Sequence, residues 1–320
     1  MLNKTFKTIQ RVQCKASIMI EGLSGSGKSG TALMIAKALE NGDMSNVFTI
    51  DTENKSLNLF QGLPCSGGGT FDNFKNVELT AEDGYAPSNY IELRNLAIKE
   101  GAKVVIFDSI THAWQYQGGV LTMVSEVSAR SAKGDKYAAW REPKIVQEKN
   151  MLLDLLRTPK SHMITTVRIK EKFAPEVDES GKTKIVSLGE QQIMQDDIKY
   201  EPDLVLRMLK PGNALKTTIE HPKVLVIKSR YPMFTKDEEY ELTPELLASL
   251  REYLEEGADP VEILEQQRLD YIKGISEYIT NNPSKKAIWQ ILKQQEKLEN
   301  TKIEELTLEQ LKHLFIKLTV

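Results

Sequence analysis

At 320 residues, 40% hydrophobic and 27% charged, the chain is long enough for one sizeable core plus a small second domain, and too balanced for a disordered or fibrous protein. Two cysteines, Cys14 and Cys65, and four scattered histidines exclude a disulfide framework and a zinc-ligand spacing, and no window approaches the ~18 uninterrupted apolar residues of a membrane span. Net charge is −3 but unevenly placed, with 15 acidic and 10 basic residues in 241–320, so any nucleic-acid surface is expected in the first part. The N-terminal Met1-Leu-Asn-Lys-Thr-Phe lacks the apolar core of a signal peptide, and the expectation is a cytoplasmic protein with no membrane partner.

The apolar run Ala16–Ile20 reads as a buried strand, and Ser29–Glu40 has helical spacing that stops at Asn41-Gly42. Between them, Gly22-Leu-Ser-Gly-Ser-Gly-Lys28-Ser29 fills G-x-x-x-x-G-K-[ST], a Walker A phosphate-binding loop. Its glycines let the backbone curl so that N–H groups and the helix N-terminus point at a polyphosphate. Candidate nucleotide ligands are therefore Gly22, Leu23, Ser24, Gly25, Ser26, Gly27, Lys28, Ser29 and Gly30, with Lys28 a point charge and the Ser29 hydroxyl a Mg²⁺ ligand.

Val47–Asp51 is a short strand running into Asp51 and Glu53, at the strand end where ligands of open α/β sheets sit. A loop at 63–70, a strand at 76–80 and a helix over Pro87–Glu100 follow. Lys103-Val-Val-Ile-Phe-Asp108-Ser109 reads as a Walker B strand, whose Asp108 would lie beside the P-loop and hold Mg²⁺ with Ser29. Ile110–Trp140 is helical with a soft middle, and Pro143–Leu156 is a second helix. His162–Arg168 is a buried strand, Ile169–Asp197 a polar hairpin or loop, and 203–209 and 216–227 are further strands leading into Lys228-Ser-Arg230. Repeated βα units followed by strands alone predict a mixed, mainly parallel sheet with an antiparallel edge.

From Thr243 the chain reads as helices. Starts fall at Thr243-Pro-Glu245, Asp259-Pro260 and Leu306-Thr-Leu-Glu309, with a break at Asn282-Pro-Ser284. Leu311, Leu314, Phe315 and Leu318 make one apolar face, and Ile288, Trp289 and Leu292 another. The expected division is residues 1–240 as the nucleotide-binding core and 241–320 as a small all-helical domain or arm.

The P-loop, Ile50-Asp51-Thr-Glu53 and Ile106-Phe107-Asp108-Ser109 together resemble the RecA-like ATPases in order and spacing. More narrowly, Tyr85-Ala-Pro87, Asp108-Ser-Ile-Thr-His-Ala-Trp114, Trp140, Thr165-Thr-Val-Arg168-Ile-Lys170 and Tyr200-Glu201 look like phage-encoded nucleotide-binding proteins of that superfamily. Some of those act as recombinases or single-strand annealing proteins. Over residues 15–240 the resemblance implies a RecA-like P-loop NTPase core that hydrolyses ATP with Mg²⁺. It also implies a homo-oligomer, as ring or filament, that binds single-stranded DNA and meets a single-strand-binding protein in a bacterial host's cytoplasm.

Position by position, the resemblance makes Lys28 and Ser29 the phosphate and Mg²⁺ ligands, Asp108 the Walker B carboxylate and Glu53 the general base. Thr165 or Thr166 becomes the γ-phosphate sensor, and Lys228 and Arg230 the K-x-R shown to a neighbouring subunit's nucleotide. Two DNA-facing loops would fall at about 117–140 and 169–199, carrying Arg130, Lys133, Lys136, Arg168, Lys170, Lys172, Lys182 and Lys184 with Tyr137 and Phe173. Glu171, Glu176, Asp178, Glu179 and Glu190 in the second loop oppose phosphate. The P-loop alone also fits a nucleotide or small-molecule kinase, or an ATP-gated assembly protein that hydrolyses slowly.

Overall fold

The computed structural model describes residues 10–65, 68–130, 135–156, 160–177, 183–209 and 221–319. The chain divides into two compact units, Cys14–Leu254 and Glu255–Val320 with Met1–Gln13.

In the first unit, β1 (Ser17–Gly22) leads through the P-loop into α1 (Lys28–Leu39). There follow β2 (Val47–Asp51), β3 (Lys75–Glu78), α2 (Pro87–Lys99) and β4 (Val104–Asp108). The expected helix over 110–140 divides into α3 (Thr111–Gln115), α4 (Val120–Arg130) and α5 (Lys136–Ala139). The first break falls at Gly118-Gly119: Gly118 has φ 77, and a Cβ on Gly119 would sit 2.7 Å from the His112 carbonyl, so no ordinary helix runs through. Next come α6 (Pro143–Asp154), β5 (His162–Val177), β6 (Thr183–Gln192), β7 (Leu204–Met208), β8 (Lys223–Ser229), β9 (Glu239–Glu241) and α7 (Pro244–Glu255).

The described strands form one sheet in the order β3-β2-β4-β5-β1-β7-β8-β9, with β6 paired to β5 outside that path. From β3 to β7 all neighbours are parallel, while β8 and β9 close the edge antiparallel, as the pattern of βα units then bare strands predicts. The polar insert is a hairpin: β5 runs on beyond the sheet and β6 returns antiparallel along it. The strand expected over 216–227 begins at Lys223, and 216–220 lie outside the described residues.

Alternation along the strands builds two cores. Ile18 and Ile20 face α1 and α7, meeting Leu33, Ile35, Leu247 and Leu250. Met19, Val105 and Phe107 face the other way, toward Tyr90 of α2 and Leu152 of α6. Helix α7 lies beyond the expected boundary at residue 240 yet buries Leu247, Leu250 and Leu254 in the first of these cores.

The second unit holds α8 (Pro260–Asn281), α9 (Lys285–Gln295) and α10 (Leu308–Thr319). Asp259 caps α8 by accepting from the Val261 N–H at 2.7 Å, with Pro260 in the first turn. Ile275, Trp289, Leu292, Leu311, Leu314 and Leu318 form its core. Ile288 does not join Trp289 and Leu292 as expected: neighbours in sequence face different sides of a helix, and Ile288 is exposed. Among the described residues no helix is long and apolar enough to cross a membrane.

Candidate functional site

The P-loop closes on itself around glycine. Gly25 and Gly27 have φ 74 and 89, and a Cβ on Gly22 would sit 2.5 Å from Ser26 Oγ and 3.0 Å from Met208 Cβ. Gly27 caps α1 with no side-chain acceptor, so the first-turn N–H groups of this helix remain open to an anion. Lys28 is buried and its Nζ donates to the Leu23 carbonyl at 2.8 Å, across the loop. Burial lowers its pKa from the ordinary lysine value, against the charges of Asp108 and Glu53, which raise it.

Strand β4 carries Asp108 to the same place. Its Oδ1 accepts the Thr166 hydroxyl, while Oδ2, buried, has no partner in normal hydrogen-bond geometry among the described residues. Burial pushes this carboxyl up, and the nearby Ser29 and Thr166 hydroxyls counter it. Ser26 Oγ is a second buried oxygen without a partner in the loop. The two threonines thus part company: Thr166 faces Asp108, whereas Thr165 Oγ1 turns to the Ile18 carbonyl at 3.4 Å inside the sheet.

Asp51 ends β2 and is occupied with the backbone, its oxygens accepting from the N–H groups of Glu53 at 2.6 Å and Leu57 at 3.0 Å. That turn sets Glu53 beside Lys28. Glu53 is held by a two-bond fork: Arg168 Nε donates to Oε1 at 2.8 Å and Nη2 to Oε2 at 2.6 Å. Burial is the largest single influence on Glu53 and pushes it up, but the hydrogen bonds and charge of Arg168 outweigh it, leaving the carboxyl below its ordinary value. Arg168 Nη1 also reaches Tyr116 Oη at 3.1 Å. Tyr116 packs edge-on against the His112 ring, whose Nδ1 lies 2.5 Å from Thr52 Oγ1. Burial, then the Arg168 charge, pushes His112 down to about 4, so the ring is neutral at physiological pH.

Arg168 has a partner inside the site that the sequence reading did not give it. Expected as a DNA contact, its guanidinium is turned back onto Glu53, because β5 lies next to β1 with Arg168 level with Gly22. Lys170 and Lys172 beyond it are exposed on the hairpin, as is Arg130 at the end of α4. Tyr137 is 84% exposed. Lys133 and Lys182 lie outside the described residues, as do the side chains of Lys136, Lys184 and Phe173.

Lys228 and Arg230 lie at the other end of the sheet from the P-loop. Lys228 is level with Val205 and, through β7, with Met19, and the Arg230 N–H bonds to the Asp203 carbonyl at the start of β7. At ~3.3 Å per residue, Arg230 is roughly 15 Å along the strands from Gly22. Lys228 Nζ donates to the Tyr200 and Pro202 carbonyls, and Arg230 pairs with Asp203 at 2.9 Å while its side chain stays largely exposed.

An uncapped helix N-terminus behind a glycine loop, a buried lysine in the loop and a strand-end aspartate beside it define a P-loop NTPase domain on a mixed α/β sheet. A family model described as an AAA domain matches residues 14–236, and the chain belongs to that family. Among solved structures it is similar to a KaiC-like protein from the hyperthermophilic archaeon Pyrococcus horikoshii OT3, at 17% identity and a TM-score of 0.38, over 72% of this chain and 86% of that one. No curated protein sequence matches the chain.

Proposed function

We propose that the chain is a Mg²⁺-dependent ATP hydrolase that acts as a homo-oligomer on single-stranded DNA, in phage recombination or strand annealing in a bacterial cytoplasm. The observation that carries the ATPase reading is Asp108 Oδ2, a buried carboxylate oxygen left unpartnered beside the Ser29 hydroxyl at the mouth of an open helix. Those are hard oxygen donors, and they fit Mg²⁺ held by Ser29, Asp108 and phosphate oxygens. The bound ion would neutralise charge on the β- and γ-phosphates.

The chain's own residues supply the rest. Backbone N–H groups from Gly25 to Ser29 and the Lys28 ammonium hold the phosphates, and Thr166 fixes Asp108. Glu53 takes a proton from water as the water oxygen bonds to the γ-phosphorus and the bond from γ-phosphorus to the bridging oxygen breaks, releasing ADP and phosphate. Arg168, already on Glu53, brings a cation to the same side. Phosphate release with no acceptor present separates hydrolase from kinase.

The Arg168–Glu53 fork also favours a second reading, an ATP-gated assembly protein, since a carboxylate held in an ion pair is a weaker base. Single-turnover hydrolysis no faster in the unmodified chain than in Glu53→Gln would establish that reading.

Support for DNA comes from the family resemblance and from Lys170, Lys172 and Arg130, exposed where DNA-facing loops are expected, and the single-strand-binding protein partner rests on the resemblance alone. ATP turnover and gel mobility with and without single-stranded DNA test it, and no effect on either removes the DNA reading while leaving the ATPase. Support for oligomerisation comes from Arg230, exposed and distant from its own P-loop, so that a bound nucleotide it reached would be a neighbour's. A mixture of Arg230→Ala and Glu53→Gln, each inactive alone, is expected to regain turnover at shared interfaces. Co-assembly without recovery would remove Arg230 from that role.

A further inference from the structure

On the face of the sheet opposite α1, a cavity of about 500 Å³ opens between the end of β1, the end of β7 and the base of the β5–β6 hairpin. Its lining includes Glu21, Lys172, Glu190, Gln192, Lys199 and Arg207. The pleat links it to the nucleotide loop: Glu21 faces the cavity where Gly22 begins the P-loop, and Arg207 faces it where Met208 backs Gly22 and Gly27.

The charges inside are organised. Glu21 is 1% exposed and both its oxygens are taken, Oε1 by Arg207 Nε at 2.6 Å and Nη2 at 2.5 Å, Oε2 by the Gln192 amide. The carboxylate therefore serves to lock the guanidinium, whose Nη1 has no partner among the described residues. Lys172 and Lys199 stand exposed at the rim, and Lys199 Nζ lies 5.5 Å from the ring of Tyr200, itself 63% exposed. Against these free donors stands one carboxylate not already paired inside the cavity, Glu190. A fixed guanidinium edge with two ammonium groups is the donor set that phosphate oxygens take up.

We propose that this cavity is a second phosphate-binding site, distinct from the P-loop, for either free polyphosphate or the backbone of a nucleic-acid strand. It deepens the DNA reading above by giving the strand a seat at the hairpin base, but its binding is measured without reference to hydrolysis. The full chain is titrated with tripolyphosphate by calorimetry and with a fluorescein-labelled oligothymidylate by anisotropy.

Two classes of tripolyphosphate site are expected. Lys28→Ala removes one; Lys172→Gln with Lys199→Gln, both on the surface and outside the core, weakens the other at least about tenfold, and Glu190→Gln tightens it. If oligothymidylate displaces tripolyphosphate from that second class, strand phosphates are the ligand, and each lost lysine takes about 0.7 off the logarithmic salt slope. If it does not, the site takes free polyphosphate. A single class abolished by Lys28→Ala, or a second class untouched by the lysine pair, overturns the proposal. Loss of the second class alone while Lys28→Ala changes nothing sinks the P-loop reading and leaves this one standing.

Discussion

Removing the Lys28 ammonium takes away a positive charge buried against the loop that faces the phosphates, so Lys28→Ala is expected to lose ATP affinity itself, read with a fluorescent nucleotide. Glu53→Gln keeps that charge and loses only the base: ATP stays bound and turnover falls by ~10²–10⁴, because base assistance belongs to the transition state. Equal loss of affinity in both variants would remove Glu53 from the base role. Arg168→Gln gives a signed test. Arg168 holds Glu53 below its ordinary pKa, and the base works only when ionised, so the acid limb of the kcat/KM profile should move to higher pH in the variant. An unmoved limb would mean that another group titrates there. Lys28 and Asp108 were legible in the sequence because loop spacing and a strand-end carboxylate are local patterns. Arg168 was not, because its partner depends on β5 lying beside β1, and strand order leaves no mark on a single sequence. The choice between Thr165 and Thr166 needed the strand's facing, which the pleat sets and adjacent threonines do not reveal.

Helix α1 and the short turn Leu57–Phe60 meet at Gly30, where a Cβ would lie 2.9 Å from the Phe60 ring. Gly30→Ala should therefore destabilise the chain by about 1–3 kcal/mol in denaturant unfolding, and Phe60→Leu should recover part of that loss in the double variant. Strand β5 begins with His162, whose Nδ1 accepts the Ala16 N–H at 3.0 Å. Burial, then the charge of Lys15, pushes it down to about 3. The unfolded chain holds this proton more readily, so the stability tied to the neutral ring is whole above pH 6.5 and drains as pH falls toward 3, on the order of 4 kcal/mol in all. Urea midpoints should fall over that range, and less steeply in His162→Gln; identical slopes would assign the loss elsewhere. At this scale the βα alternation was readable from apolar runs and helix ends. The extension of β5 into a hairpin was less so, since its polar residues face no core and leave no periodic signal.

The two units divide the chain after Leu254, and the reason lies in which core claims α7. Thr243-Pro-Glu245 announced that a helix starts there, but an amphipathic stripe does not say against which core it will pack. Burial of Leu247, Leu250 and Leu254 contributes roughly 1.5–3 kcal/mol each, comparable in sum to the stability of a typical domain. A fragment of residues 14–240 is therefore expected to unfold, while 14–254 should keep a cooperative thermal transition; two equally stable fragments would show that α7 is dispensable.

Placing the P-loop at one end of the parallel strands and Arg230 at the other has a consequence for any assembly built through them. Each copy would offer a socket on one side and a plug on the other, so the stack is heterologous and has a direction. A row of such subunits ends in one chain whose catalytic socket stays empty and another whose plug is unused. Short rows would then spend a larger share of their members idle, and only ring closure gives every copy a working neighbour.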